Sequence, residues 1–98
     1  MAKFGEIINS VNPTLIDFYH ENDEQDTIIH SVLRDVAAAL GDKARVIKID
    51  IEKNEKLVDA LRIKGNPTFI IYKNGEMKWR QSGEQDANTL ITLVEKYV

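Results

Sequence analysis

The chain has 98 residues and no cysteine. Disulfides, thiolate nucleophiles and cysteine-ligated zinc are therefore excluded from it. No apolar run approaches the roughly 18 residues that a membrane-spanning helix needs. The opening residues carry an early lysine, Lys3, and no long apolar block. No secretory signal is read there, and the expected compartment is the cytoplasm. The net charge is −3 and the basic residues are scattered, which leaves no electrostatic footprint for nucleic acid. There is no phosphate loop, no Ser-His-Asp order and no nucleotide fingerprint. Internal repeats, linkers and low-complexity segments are also missing.

What remains is the composition of an ordinary globular domain, 43% apolar and 30% charged, long enough for one modest core. Phe4, Ile7, Ile8 and Val11 recur at helical spacing, so a short amphipathic helix is expected over 3–10, ended by Asn12-Pro13. Residues 14–19 read as a strand. Leu15, Ile16 and Phe18 make it nearly continuously apolar, as for a strand covered on both faces. Asp17 interrupts the run, and a lone buried carboxylate is costly unless paired or protonated. After a polar loop over 21–25, Ile29, Val32, Leu33, Val36, Ala37 and Leu40 form one helical stripe. Gly41 stands where a helix C-terminal glycine belongs. A second strand is expected over 44–50, parallel to the first because a whole helix separates them. A helix over 55–62 then turns Leu57, Val58 and Leu61 inward.

Gly65-Asn66-Pro67 is a bend signal, since glycine frees φ and proline fixes it. Thr68 to Tyr72 is β-branched and aromatic, which suits a buried strand. Asn74-Gly75 favours the two-residue turn in which both residues have positive φ, so the chain returns as an antiparallel strand over 76–82. Asp86 reads as the N-cap of a last helix, 87–97, burying Leu90, Ile91, Val94 and Tyr97.

Three segments carry a resemblance. RIKGNPTFIIYKNGE, from Arg62 to Glu76, is similar to the thioredoxin segment that holds a cis-proline and its hairpin. Pro13 to Tyr19 resembles the strand leading into the thioredoxin active site, and Val46 to Asn54 resembles the next parallel strand. The order and spacing match over nearly the whole chain. The resemblance implies an α/β protein with a thioredoxin fold in one domain, 1–98. The sheet is expected to be mixed and four-stranded, two parallel strands plus an antiparallel hairpin, with helices on both faces. The expected strand order is 44–50, 14–19, 68–72, 76–82. Thioredoxins have a further strand ahead of the first helix, for which these residues leave no room. The 44–50 strand then becomes an edge with no outer partner.

The same resemblance locates the reactive site and shows what has replaced it. Asn22 stands where thioredoxins carry tryptophan, and Asp23-Glu24-Gln25-Asp26 stands where they carry Cys-Gly-Pro-Cys. A carboxylate cannot attack a disulfide sulfur as a thiolate does. Carboxylates do suit a helix N-terminus, where each exposed negative charge contributes roughly 0.3–1 kcal/mol. Exchange of the two cysteines alone would not account for this stretch, because Asn22, Glu24, Gln25 and Thr27 also depart from the family. Asp17 matches the buried aspartate that handles a cysteine proton in thioredoxins, and Lys48 matches its lysine partner. Here they read as a partly buried ion pair kept because removing one charge would strand the other.

Asn66, Pro67 and Thr68 match the element beside which thioredoxins bind extended peptide, and Gly83 matches the facing glycine. Glu84 replaces a small apolar residue. With Asp23 and Glu24 it makes the rim acidic, so the expected partner is a basic or polar peptide or protein, weakly held and salt-dependent. Against this stands the plainer reading of the bend as inherited scaffold. Asp26 and His30, four apart on a helix, with Asp23 and His20 nearby, are of the types that ligate a hard or borderline metal; an ordinary ion pair on a solvated helix end explains them. Trp79 either stacks on a partner or packs over a helix. The function expected is that of a thioredoxin-like protein without dithiol activity that binds a partner at the proline groove. The alternative is a redox-homeostasis protein acting through a partner's cysteines. No cofactor is expected, and the chain is expected to be a monomer or weak dimer.

Overall fold

Leu15, Ile16 and Phe18 are all completely buried, because the strand that carries them lies inside a sheet with helices on both faces. The computed structural model describes residues 4–20, 26–64 and 67–98. The elements run α1 (Phe4–Ile8), β1 (Thr14–Tyr19), α2 (Asp26–Leu40), a short 3-10 turn (Gly41–Lys43), β2 (Arg45–Asp50), α3 (Glu55–Leu61), β3 (Thr68–Lys73), β4 (Glu76–Ser82) and α4 (Ala87–Glu95). The sheet order is β2-β1-β3-β4, as the sequence leads one to expect. β1 and β2 are parallel, whereas β1–β3 and β3–β4 are antiparallel.

Strand alternation divides the core between the two faces. Leu15, Phe69 and Ile71 point one way and meet Leu33, Val36 and Leu40 of α2 and Leu90 and Val94 of α4. Ile16, Phe18, Ile70 and Tyr72 point the other way, where Ile8 of α1 and Leu57, Val58 and Leu61 of α3 cover them. The half-buried Trp79 packs against the first cluster, so it lies over helices, one of the two roles its sequence position allowed. Burying a side chain such as Leu90 completely contributes about 1.5–3 kcal/mol. Ile91 and Tyr97, expected to be buried, are half-buried at the border of this cluster.

Two further expectations fail at the helix surfaces. Val11 is 75% exposed, because α1 stops at Ile8 and the chain turns before the spacing can act. The hairpin turn ends that helix: Asn74 donates its amide to Ser10 O at 2.8 Å and Gly75 to Ile8 O at 3.1 Å. Ala37 is exposed, because the apolar face of α2 is narrower than its composition suggests and runs through Leu33, Val36 and Leu40. The turns themselves follow the sequence. Gly41 has φ of 52°, and Asn74 and Gly75 have φ of 53° and 81°, the left-handed pair that the hairpin requires. Asp86 caps α4 by accepting the Thr89 amide at 2.7 Å. The β3–β4 register slips between Ile71↔Trp79 and Tyr72↔Met77, which leaves Lys78 as an extra residue in β4.

Candidate functional site

The bend before β3 is held by main-chain and side-chain bonds from β4. Pro67 is buried, and its carbonyl accepts the Gly83 amide at 2.8 Å. Thr68 is completely buried, and its hydroxyl lies 3.1 Å from that of Ser82. The Ser82 hydroxyl in turn donates to Lys64 O at 3.3 Å. Further down β4, Arg80 donates to the Leu61 and Arg62 carbonyls at the end of α3. The fold thus brings Pro67, Thr68 and Gly83 together. Glu84 follows as an exposed residue, and Gly83 bends the loop with φ of 101°. Asn66, the peptide bond between it and Pro67, and the run Asn22, Asp23, Glu24, Gln25 lie outside the described residues. Asp26 opens α2.

Asp17 is completely buried and sits in register with Lys48 across the parallel ladder. Lys48 itself is exposed, so only the carboxylate of the expected ion pair is buried. The reason lies in the sheet order: β2 is an edge, and a lysine stem there reaches solvent directly. His30 lies in the second turn of α2, and its ring meets Tyr19 edge to face at 5.4 Å. Among the described residues, no three histidine or acidic side chains group as a metal site.

At the end of β1, His20 Nε2 lies 2.5 Å from Glu52 Oε1. The same region is tied by the Asp50 carboxylate accepting the Glu52 amide at 2.8 Å, and by Asn54 Nδ2 donating to Asp50 O at 2.8 Å. Sequence reasoning passed over the His20–Glu52 and Arg80 contacts, because neither has a local pattern: each joins residues that only the folded chain makes neighbours.

The comparisons with known proteins agree with this geometry. The Thioredoxin family model matches residues 1–96. The chloroplastic thioredoxin Y of Oryza sativa subsp. japonica is 38% identical over 95 residues, 96% of this chain and 56% of that protein. The thioredoxin of Rickettsia prowazekii is 29% identical over 94 residues, 96% of this chain and 90% of that one. Among solved structures, a single-site mutant of a thioredoxin from Halobacterium salinarum superimposes with a TM-score of 0.85 at 27% identity, over 99% of this chain and 84% of that one. A mixed sheet of this order, with the proline bend facing the β4 loop, defines an α/β domain of thioredoxin type. The chain belongs to the thioredoxin family. It spans about half the length of the chloroplastic relative. No described helix is long and apolar enough to cross a membrane.

Proposed function

We propose that this chain is a binding domain of the thioredoxin family that exchanges no disulfides itself and holds an extended peptide beside Pro67. The chemical half of the reading rests on the lack of cysteine: no thiolate is present to attack a sulfur–sulfur bond. The binding half is carried by one observation, the 2.8 Å bond from Gly83 N–H to the Pro67 carbonyl. It ties the bend to the β4 loop and so holds a backbone edge in place. An extended peptide that pairs with such an edge gains main-chain hydrogen bonds without any reactive side chain. Exposed Glu84, with Asp23 and Glu24 in the sequence ahead of α2, favours a basic or polar peptide and a salt-sensitive affinity. The proposed compartment is the cytoplasm, where a chain without cysteine forgoes nothing in disulfide stabilisation.

Titration with a lysine- and arginine-containing peptide is expected to shift the Thr68 and Gly83 amides, with weaker binding as salt rises. Absence of change at both amides removes the groove from consideration. Reduction of insulin by dithiothreitol is expected to run no faster with the protein than in buffer. Acceleration there would restore the reading of a redox protein working through cysteines supplied by another chain.

A further inference from the structure

Only one asparagine of this chain is followed by glycine. It is Asn74, at the tip of the β3–β4 hairpin, and both residues are exposed. The carboxamide carbon of an asparagine and the next main-chain nitrogen can close a cyclic imide. Glycine carries no β-carbon to hinder that approach. The space around Gly75 is open as well, since even an added β-carbon would meet nothing within 4 Å.

The fold opposes the same reaction. The attacking nitrogen must give up its proton, and the Gly75 N–H is held by Ile8 O at 3.1 Å. The neighbouring Asn74 N–H is held by Ser10 O at 2.8 Å. The left-handed φ values of 53° and 81° fix the turn between them. Attack therefore requires the tip to leave the end of α1. That opening also exposes the Gly75 N–H to exchange with water, so the two processes share one step.

We propose that Asn74 is a modification site: it deamidates through openings of the hairpin tip, and its isoaspartate product frees the segment from Ile8 to Ser10 from the turn. The Gly75 nitrogen forms a bond to the side-chain carbonyl carbon of Asn74. The bond from that carbon to the side-chain nitrogen breaks, and ammonia leaves with the proton that Gly75 gave up. Water then opens the cyclic imide at either carbonyl. One opening leaves aspartate on an unchanged main chain. The other leaves isoaspartate, in which the side-chain methylene has entered the main chain. Nothing is oxidised or reduced, and water is the only co-reactant.

The two products differ in their effect on α1. Aspartate keeps the two-residue turn, so both amides return to Ile8 O and Ser10 O. Isoaspartate lengthens the turn by one main-chain atom, which a two-residue turn of fixed geometry does not absorb. The bonds to Ile8 O and Ser10 O are then lost. Arg45 Nη1 still donates to Ile7 O at 3.1 Å, and Ile8 stays packed in the core, so the release is local. Either product adds a negative charge to a chain of net charge −3, which separates it from the parent by ion exchange. The site shares no residue with the proline groove.

The test incubates the whole chain at mildly alkaline pH, folded and in denaturing urea, and maps it by peptide mass spectrometry. Asn74 is expected to deamidate in the folded chain, about tenfold or more slowly than in urea. Below the unfolding transition, its rate is expected to rise with urea in step with Gly75 amide exchange. The purified isoaspartate form is expected to lose exchange protection at Gly75 and to keep it in β1. Asn74→Asp, which adds the charge without the extra atom, is expected to keep both. Equal rates in the folded and unfolded chain overturn the proposal. So do a rate that stays flat while Gly75 exchange rises, faster modification at another asparagine of the folded chain, or no deamidation of the folded chain at Asn74. An isoaspartate form that protects Gly75 as the parent does, or that loses β1 as well, also overturns it. A loss in Asn74→Asp as large as in the isoaspartate form does the same, because the charge alone would then account for it.

Discussion

Arg80 is fastened to the main chain of Arg62: its Nη2 donates to the Arg62 carbonyl at 2.7 Å. Nη1 of the same guanidinium donates to the Leu61 carbonyl. Arg62 caps α3 with φ of 54°, a left-handed conformation that costs a residue with a side chain roughly 1–2 kcal/mol. The guanidinium offsets this by satisfying two carbonyls at the negative end of the helix. It also pins the chain leading to Pro67 against β4.

Arg80→Ala is expected to lower stability by about 2 kcal/mol, the usual scale for hydrogen bonds to a charged donor. The urea midpoint should fall with an unchanged slope. Arg80→Lys should recover only part of the loss, since an ammonium lacks the planar fork that spans two acceptors. A change below about 0.5 kcal/mol for the alanine variant would mean that the clasp is incidental.

Tyr72 makes the same arginine visible by titration. Burial pushes the phenol above its ordinary value of 10.0, and the Arg80 charge acts against that shift. The folded state therefore holds the phenolic proton more tightly than the unfolded chain does. The stability this contributes is complete below pH 10.0 and is lost as pH rises through the folded value. Urea midpoints should decline on the alkaline side, and Tyr72→Phe should flatten that decline. Phenolate absorbance should show Tyr72 titrating still later in Arg80→Ala.

Much of the fold was legible because its signals are local. The β1 bounds, Gly41, Asn74-Gly75 and Asp86 each depend on a few neighbouring residues, and each stands in the structure as read. Two of the departures involve distance. Val11 has helical spacing but lies beyond a helix that the Asn74 and Gly75 amides help to end. The Lys78 bulge has no counterpart in the hydrophobic pattern, since it alters only the pairing across the hairpin. Of the candidate site, Pro67, Thr68 and Gly83 could be placed from the resemblance, whereas the Arg80 contacts behind them needed the fold.

At the start of α4, the Asp86 carboxylate accepts the Thr89 amide, and that bond holds its pKa below the ordinary value of 3.8. The stabilisation is complete above the unfolded value and is lost as pH falls through the folded one. Asp86→Ala should lower the thermal midpoint at neutral pH, and the difference from the parent should shrink as the solution is acidified. Asp86→Asn should keep most of the cap without the acid dependence. A gap between Asp86→Ala and the parent that stays constant down to strongly acidic pH would contradict the assignment.

Gly75 separates the cost of backbone conformation from the cost of crowding. Its φ is 81°, and a methyl group added there would meet nothing within 4 Å. Any loss in Gly75→Ala therefore comes from forcing a residue with a side chain into the left-handed region, about 1 kcal/mol. The effect should not stay in the turn. The Gly75 amide bonds to Ile8 O and the Asn74 amide to Ser10 O, so the hairpin tip also holds the end of α1. Amide exchange at Gly75 and Asn74 should accelerate together, ahead of the β1 core, and the Phe4–Tyr72 ring contact at 5.5 Å should loosen with them. If only the turn amides respond while Phe4 keeps its environment, α1 is held by its own packing and not by the hairpin.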